Sequence, residues 1–339
     1  MRLNLSTLWR RRLRPAHERH DLEAPTHLRQ ARLGVALSAG GAKGLAHVGV
    51  LQVLEEHGIE IHAVAGSSMG AYVGALWACG FSGSDLVELA EEMHDSRQIR
   101  KLADPIIPPL TGVIRGIRAK RHLMRSIGET RFEDLNRRLL ISTFDLDTKE
   151  RLVLRQGMIA EAVHASCAMP GIIAPVTLHG HRCADGGVVD PLPVGSLRKF
   201  GEVDVILAVN VQPTVEEIDR HLSARALAEQ HKASVLRRLG SCLNRSCNLA
   251  APGNIIDTMR KAVKAAQLRL AEEASKRADL CLHPSFEGPG QWHDYHKFEH
   301  YIAAGRQVAL AHLDELKILL SPERDHESSP QAMVGKRVA

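Results

Sequence analysis

Ala63-Val64-Ala65-Gly66-Ser67-Ser68-Met69-Gly70 is an apolar run that turns through glycine and serine into a helix-like segment. Either Ser68 is a nucleophile lifted on a sharp turn, or the chain simply turns here. A second unit of the same kind lies upstream. Leu33-Gly34-Val35-Ala36-Leu37 reads as a buried strand and runs through Ser38 and Ala39 into the glycine turn Gly40-Gly41-Ala42-Lys43-Gly44. Leu45, Val48, Leu51 and Leu54 then recur at three-residue steps, the spacing of one helix face, until Gly58. Ile59 to Ala65 reads as the second strand and Ala71 to Ala78 as the second helix. Strand, glycine turn, helix, strand, turn, helix is the order of an α/β protein with a parallel sheet.

Outward from these units the pattern continues. Leu139 to Phe144 and Arg151 to Leu154 read as strands joined by the polar turn Asp145-Leu146-Asp147-Thr148. Met158 to Ser166 is a helix, and Arg182-Cys183-Ala184 a short strand before Asp185-Gly186-Gly187. Val203 to Val211 reads as a buried strand, expected at the centre of the sheet. Ile255 to Lys276 is a long amphipathic helix, Ala278 to Leu282 a last strand, and His296 to Leu320 a terminal helix. Residues 81–135 carry Ile106, Ile107, Leu110, Ile114 and Ile117 among basic residues. They read equally as a lid with a lipid-facing surface or as an ordinary helical cap. No internal repeat is present. The expected organisation is a basic arm over 1–32, a catalytic domain over 33–320 and a polar tail over 321–339. The domain would hold the cap or lid at 81–135 and a variable helical insertion at 213–255.

Composition narrows the class. The 339 residues are 44% hydrophobic and 24% charged, as in ordinary globular chains, and only 4% aromatic, so the core rests on Leu, Val, Ile and Ala. No apolar stretch reaches 18 residues, so no spanning helix is expected. The apolar residues of the first nine positions are too few for an export signal and run straight into Arg10-Arg11-Arg12. Cys79, Cys167, Cys183, Cys242, Cys247 and Cys281 form neither a disulfide framework nor a zinc pattern, which makes a cytoplasmic, metal-free protein the default. Residues 1–32 hold eight arginines against three acidic residues, which accounts for the whole net charge of +5. Such an arm can meet anionic lipid or nucleic acid, or stay solvated. Trp9 with Leu3, Leu5 and Leu8 keeps the membrane reading alive.

Three stretches carry chemistry. Gly66-Ser67-Ser68-Met69-Gly70 fits G-x-S-x-G with a strand before and a helix after, as a nucleophile elbow requires. The glycine turn can converge backbone N–H groups on an anionic oxygen. A nucleotide phosphate is a poor target, because neither G-x-x-x-x-G-K-[ST] nor G-x-G-x-x-G is present at the turn. Asp185-Gly186-Gly187 is either an Asx-type turn or the seat of a catalytic carboxylate. In an α/β-hydrolase the serine elbow follows a late strand, whereas here it follows the second. The order suggests that Asp185 itself takes the serine proton. His47 reads as a packed helix residue, His164 and His181 as weaker candidates, and Ser67 and Ser166 as small residues near the elbow.

These motifs resemble those of the bacterial patatin-like phospholipases, relatives of the esterase domain of neuropathy target esterase. That family has a G-G-G-x-[RK]-G loop, a G-x-S-x-G elbow and D-G-[GA]. Here they stand as Ala39 to Gly44, Gly66 to Gly70 and Asp185 to Gly187. Supporting stretches are Leu45 to Leu51, Ala165 to Gly171 and Val188 to Val194. The resemblance implies a three-layer α/β/α sandwich with a mostly parallel central sheet. It implies a Ser68–Asp185 dyad, an oxyanion hole from the amides of Gly40, Gly41 and Ala42, and no metal or cofactor. Lys43, Gly44, Gly66, Gly70, Gly186 and Gly187 would support the motifs. Ala39 departs from the family glycine and Phe144 from a frequent threonine.

The implied activity is hydrolysis of lipid carboxylic esters, phospholipid or lysophospholipid, by a cytoplasmic protein that touches anionic membrane peripherally at its inner face. No nucleic-acid partner is expected. The alternative is a non-catalytic lipid-binding or scaffold protein with the same fold.

Overall fold

The computed structural model of the chain describes residues 31–94, 101–108, 111–214, 217, 255–286 and 294–321. Most of the basic arm, the body of the insertion and the polar tail lie outside the described residues. The last residue of the arm does not. Arg32 donates its backbone N–H to Asp204 Oδ2 at 2.8 Å and approaches the same oxygen through Nε at 3.3 Å. The chain at Arg32 is thus held against Asp204.

Eight strands form one mixed sheet: β1 (Leu33–Leu37), β2 (Ile61–Ser67), β3 (Arg138–Asp145), β4 (Arg151–Leu154), β5 (Val176–Leu178), β6 (His181–Asp185), β7 (Val205–Val209) and β8 (Leu280–Leu282). The hydrogen-bonded path runs β5-β6-β3-β2-β1-β7-β8, with β4 also paired to β3. All pairs from β3 to β8 are parallel, and the pairs of β3 with β4 and β6 and of β5 with β6 are antiparallel. The strand expected at the centre, β7, lies instead next to the short β8. Its apolar run reflects burial on both faces rather than central position. The strand β5 has no reading in the sequence, being three residues of a hairpin.

The period-two alternation along the strands divides the core. Leu33, Val35, Leu37, Val64, Leu139, Ile141, Leu207 and Val209 belong to one apolar cluster, with α1 (Ala46–Glu56), α2 (Met69–Ala78), α3 (Gly83–Glu92), α4 (Ile117–Ile127) and α5 (Ile159–Ser166). Ala36, Ala63, Ala65, Leu140, Ile206 and Ala208 belong to the other, with α6 (Val194–Phe200) and α7 (Ile255–Ser275). The second face is mostly alanine, so α6 and α7 approach the sheet closely. This is the expected three-layer α/β/α sandwich. The single terminal helix is two: α8 (Phe298–Ala311) and α9 (Leu313–Leu320) join at His312, whose ring bonds back to the Val308 carbonyl at 2.9 Å.

Parts of the 81–135 segment are held by local caps and by backbone hydrogen bonds. Ser82 and Asp85 form a capping box that starts α3. Buried Asp104 accepts the N–H groups of Gly116 (2.7 Å), Ile117 (2.9 Å) and Arg118 (3.2 Å), satisfying the first amides of α4. Val113 and Ile114 donate to the Ile172 carbonyl, and Ala174 donates to Ile114, so the cap is stitched to the segment after α5.

Candidate active site

The topology brings Ser68 and Asp185 together along one edge of β3. Ile141 pairs with Gly66 of β2 and with Leu154 of β4, so β2 and β4 flank opposite edges of β3. Thr143 pairs with Leu152 of β4 and with Asp185 of β6, so β6 lies on the same edge as β2. β2 runs parallel to β3 and ends at Ser67, opposite Ser142, while β6 runs antiparallel and ends at Asp185, opposite Thr143. The two strand ends therefore meet. Ser68 Oγ donates to Asp185 Oδ2 at 2.8 Å.

Ser68 has φ 52° and ψ −118°, a left-handed conformation that a side chain adopts only under constraint. Three constraints are visible. A Cβ on Gly66 would lie 2.3 Å from the Gly70 carbonyl oxygen, so the turn closes only without one. The Ser68 N–H donates to Ser166 Oγ at 2.9 Å, and Ser166 donates in turn to the Ser142 carbonyl at 2.7 Å. The helix α2 then begins at Met69, with its positive dipole end behind the serine. Ser68 keeps 9% of its surface exposed, and Asp185 only 2%.

Asp185 forms the Asx turn that its sequence context offered, and its second carboxylate oxygen is turned to Ser68. Its Oδ1 accepts the Gly187 N–H at 2.7 Å, as in an Asx turn, and its Oδ2 faces Ser68. Its own N–H donates to the Ala168 carbonyl at 2.9 Å. A Cβ on Gly186 would lie 2.1 Å from the Ser142 carbonyl oxygen, so the turn is pressed against β3. Burial pushes the Asp185 carboxyl up to about 6, against the hydrogen bonds from Ser68 and Gly187 and the charge of Lys264. The neighbouring Cys167 thiol is also raised, by burial and then by the Asp185 charge.

The glycine turn coils from Gly41 to Leu45 as a 3-10 turn, with Gly41 at φ 58°. The first amides of such a turn have no acceptor within it and are free to meet an anion. The turn packs on the elbow, since a Cβ on Gly44 would lie 2.4 Å from Met69 Cγ. The Ala39 N–H donates to the Pro191 carbonyl at 2.8 Å. Lys43 places its ammonium 5.2 Å from the Phe286 ring centroid, a packing role, and burial lowers its pKa. His47 is buried, donates to the Ser38 carbonyl at 2.9 Å and is held down to about 4, chiefly by burial. His164 bonds the Arg115 carbonyl and His181 bonds Asp145, so neither joins Ser68.

Sequence reasoning missed three contributors. Ser166 serves as the elbow's hydrogen-bond anchor rather than as a small packing residue. Lys264 on α7 and Gln212 after β7 come to the site from elements with no motif. Among the described residues, no group of three or more His, Cys, Asp and Glu could hold a metal ion. A groove of about 690 Å³ lined by Trp77, Arg137, Arg138, Arg155 and Phe200 lies elsewhere. It sits at the N-terminal ends of β2 and β3, opposite Ser68.

The chain is an α/β sandwich with a strained serine elbow, a glycine turn beside it and a buried aspartate hydrogen-bonded to the serine. Residues 35–198 match the family model of the Patatin-like phospholipases, and the chain carries a patatin-like phospholipase domain. An uncharacterized NTE family protein of Mycobacterium bovis is 34% identical over 195 residues, which cover 56% of this chain and 53% of that protein. Lysophospholipase NTE1 of Meyerozyma guilliermondii is 30% identical over 197 residues, 58% of this chain and 14% of that protein. The chain thus spans about half or less of these curated relatives' length. Among solved structures, VipD from Legionella pneumophila aligns with a TM-score of 0.45 at 15% identity, over 85% of this chain and 68% of VipD.

Proposed function

We propose that residues 33–320 form a serine acyl hydrolase that cleaves carboxylic esters of lipids, phospholipid or lysophospholipid, through an acyl-Ser68 intermediate. The observation that carries this reading is the 2.8 Å hydrogen bond from Ser68 Oγ to a buried aspartate at the end of a strained elbow. Ser68 Oγ attacks the ester carbonyl as its proton passes to Asp185 Oδ2. The oxygen that becomes negative is met by the amides of Gly40, Gly41 and Ala42. Collapse of the tetrahedral intermediate expels the alcohol, which takes the proton back from Asp185. Water, deprotonated by the same carboxylate, then attacks the acyl-serine, and as the fatty acid leaves Asp185 returns that proton to Ser68 Oγ. A carboxyl held near 6 is ionised at neutral pH and close enough to neutrality to return the proton.

The lipid would be met at a surface. Ile107 is 88% exposed, with Val113 and Ile117 partly so, beside Arg115 and Arg118. This cap is tied to the segment carrying Ala168, which holds Asp185. Together with the basic arm it supports peripheral contact with anionic membrane at the inner face. Among the described residues no helix is long and apolar enough to cross a membrane.

The test is labelling with a fluorophosphonate probe alongside short-chain ester turnover, in wild type, Ser68→Ala and Asp185→Asn. Labelling and turnover that vanish in Ser68→Ala support the reading. A folded wild type that neither labels nor turns over, with or without anionic vesicles, sinks it in favour of the non-catalytic scaffold.

A further inference from the structure

Neither the motifs nor the dyad chemistry accounts for Lys264. It lies on α7, the helix that covers the Asp185 turn. A Cβ on Gly187 would sit 3.0 Å from the amide nitrogen of Gln267, about one turn further along the same helix. Lys264 Nζ donates to Gln212 Oε1. Gln212 Nε2 donates to the Ala39 carbonyl, immediately before the glycine turn, while its backbone N–H is held by Asn210 Oδ1 at 3.1 Å. A relay of two hydrogen bonds therefore runs from α7 to the root of the turn. The lysine stem is partly exposed, but its ammonium is desolvated and its hydrogen-bond partner is a neutral amide. The negative charge it acts on is Asp185.

We propose that Lys264 is a positioning residue of this hydrolase site. It braces the glycine turn through Gln212 and supplies the positive charge that keeps the buried Asp185 carboxylate ionised. The proposal rests on the reading of Ser68 and Asp185 as a dyad. A carboxylate out of water reverts to the neutral acid unless hydrogen bonds and a nearby cation hold its charge, and a neutral Asp185 cannot accept the Ser68 proton.

The other groups around the site do not supply that charge. The Cys167 thiol, reaching in from the end of α5, stays protonated through burial. Asp190, four residues beyond Gly186, is engaged by Ser142, Ser196 and Arg151. Lys43, on the glycine turn, sits over Phe286 and opposes the charge of Lys264. Burial and then this repulsion hold Lys264 down to about 8, with Asp185 pulling the other way. At neutral pH Lys264 therefore carries its charge while Asp185 is ionised.

The experiment compares pH profiles of short-chain ester turnover and of fluorophosphonate labelling in wild type, Lys264→Met, Lys264→Gln and Lys264→Arg. The full chain is used throughout. Lys264→Met is expected to raise the midpoint of the acid limb by about one pH unit. It should also lower kcat at pH 7 about twofold with little change in KM, since the ionised share of Asp185 falls from about nine tenths to about half. Lys264→Arg should keep the rate and the acid limb, since a guanidinium stays charged. Lys264→Gln is the second variant should Lys264→Met not fold. In it, the Asp185 carboxyl, identified by 13C NMR as the resonance missing from Asp185→Asn, should titrate upward without any need for turnover. An acid limb and an Asp185 titration unchanged in the neutral variants overturn the proposal, as does equal loss in Lys264→Arg and Lys264→Met. If wild type labels at Ser68 under those outcomes, the dyad stands and only the Lys264 assignment falls. If Ser68-dependent labelling is absent at every pH, the dyad reading falls and Lys264 with it.

Discussion

Ser68 and Asp185, 117 residues apart in sequence and 2.8 Å apart at their side-chain oxygens, meet because β2 and β6 end head-on along the same edge of β3. A sheet edge is a straight track, so two strands that approach from opposite directions leave their terminal residues face to face. The serine comes from a strained turn and the aspartate from an Asx turn. Neither can drift without breaking its own strand end.

Replacing Asp185 with Asn should reduce ester turnover by about a thousandfold, the scale of a lost general base. The same change should stabilise the fold at neutral pH. The folded carboxyl is raised from 3.8 to about 6, so its stability contribution is fully present below pH 3.8 and is lost as pH rises through 6. The neutral amide avoids that loss, on the order of 2 to 3 kcal/mol. Urea unfolding at pH 8 and pH 4 checks this: the variant gains at pH 8, and the gain shrinks at pH 4. A variant less stable than wild type at both values contradicts the raised carboxyl.

His47 should impose the opposite slope. Its folded pKa of about 4 lies below the unfolded 6.5, so the unfolded chain binds a proton that the folded one refuses. Stability from this group is full above pH 6.5 and falls toward pH 4, by about 3 kcal/mol at completion. His47→Gln should remove that slope from urea midpoints taken between pH 7 and 4.5. It would thereby expose the contrary slope of Asp185. An unchanged slope would mean that His47 is solvated or charged in the fold.

Ser166→Ala should loosen the elbow. The buried Ser68 N–H would lose its acceptor and the Ser142 carbonyl its donor. An unpaired buried amide costs about 1–3 kcal/mol. Turnover should fall about tenfold or more, since the strained φ of Ser68 loses an anchor. Ser166→Thr, which restores a hydroxyl, should recover part of both. Equal stability and activity in Ser166→Ala would show that the elbow is held by its glycines alone.

Gly66→Ala should fail more severely than any of these. The added carbon would stand 2.3 Å from the Gly70 oxygen and 2.5 Å from the Ala71 nitrogen, both backbone atoms that cannot swing aside. The expected loss is about 3 kcal/mol or more, read as a fall in soluble yield or in the thermal midpoint. Retention of wild-type stability would mean that the elbow is wider than the structure has it.

The elbow, the glycine turn and the Asp185 turn were legible without coordinates because each is a local steric demand. Glycine where a Cβ would strike backbone, and apolar residues at periods of two and three, leave their mark within a few positions. The same logic made β1, β2, β3 and the helices between them readable. β5, a three-residue hairpin arm, left too short a mark to read. The break at His312 interrupts a helix pattern that is apolar on both sides of it.

The roles of Ser166, Gln212 and Lys264 came only with the assembled fold. A serine after α5, a glutamine after β7 and a lysine on α7 sit in ordinary surroundings along the chain. Gln212 and Lys264 reach Ala39 because the strand order sets β7 beside β1, while Ser166 meets Ser68 and Ser142 from the end of α5. A hydrogen bond or a charge acts through space, and the partner of a side chain more than fifty residues away imposes no pattern on the residues beside it. The elbow that presents Ser68 was written into five consecutive residues. The surroundings of the Asp185 carboxyl arise only where β2, β6 and α7 come together in the assembled fold.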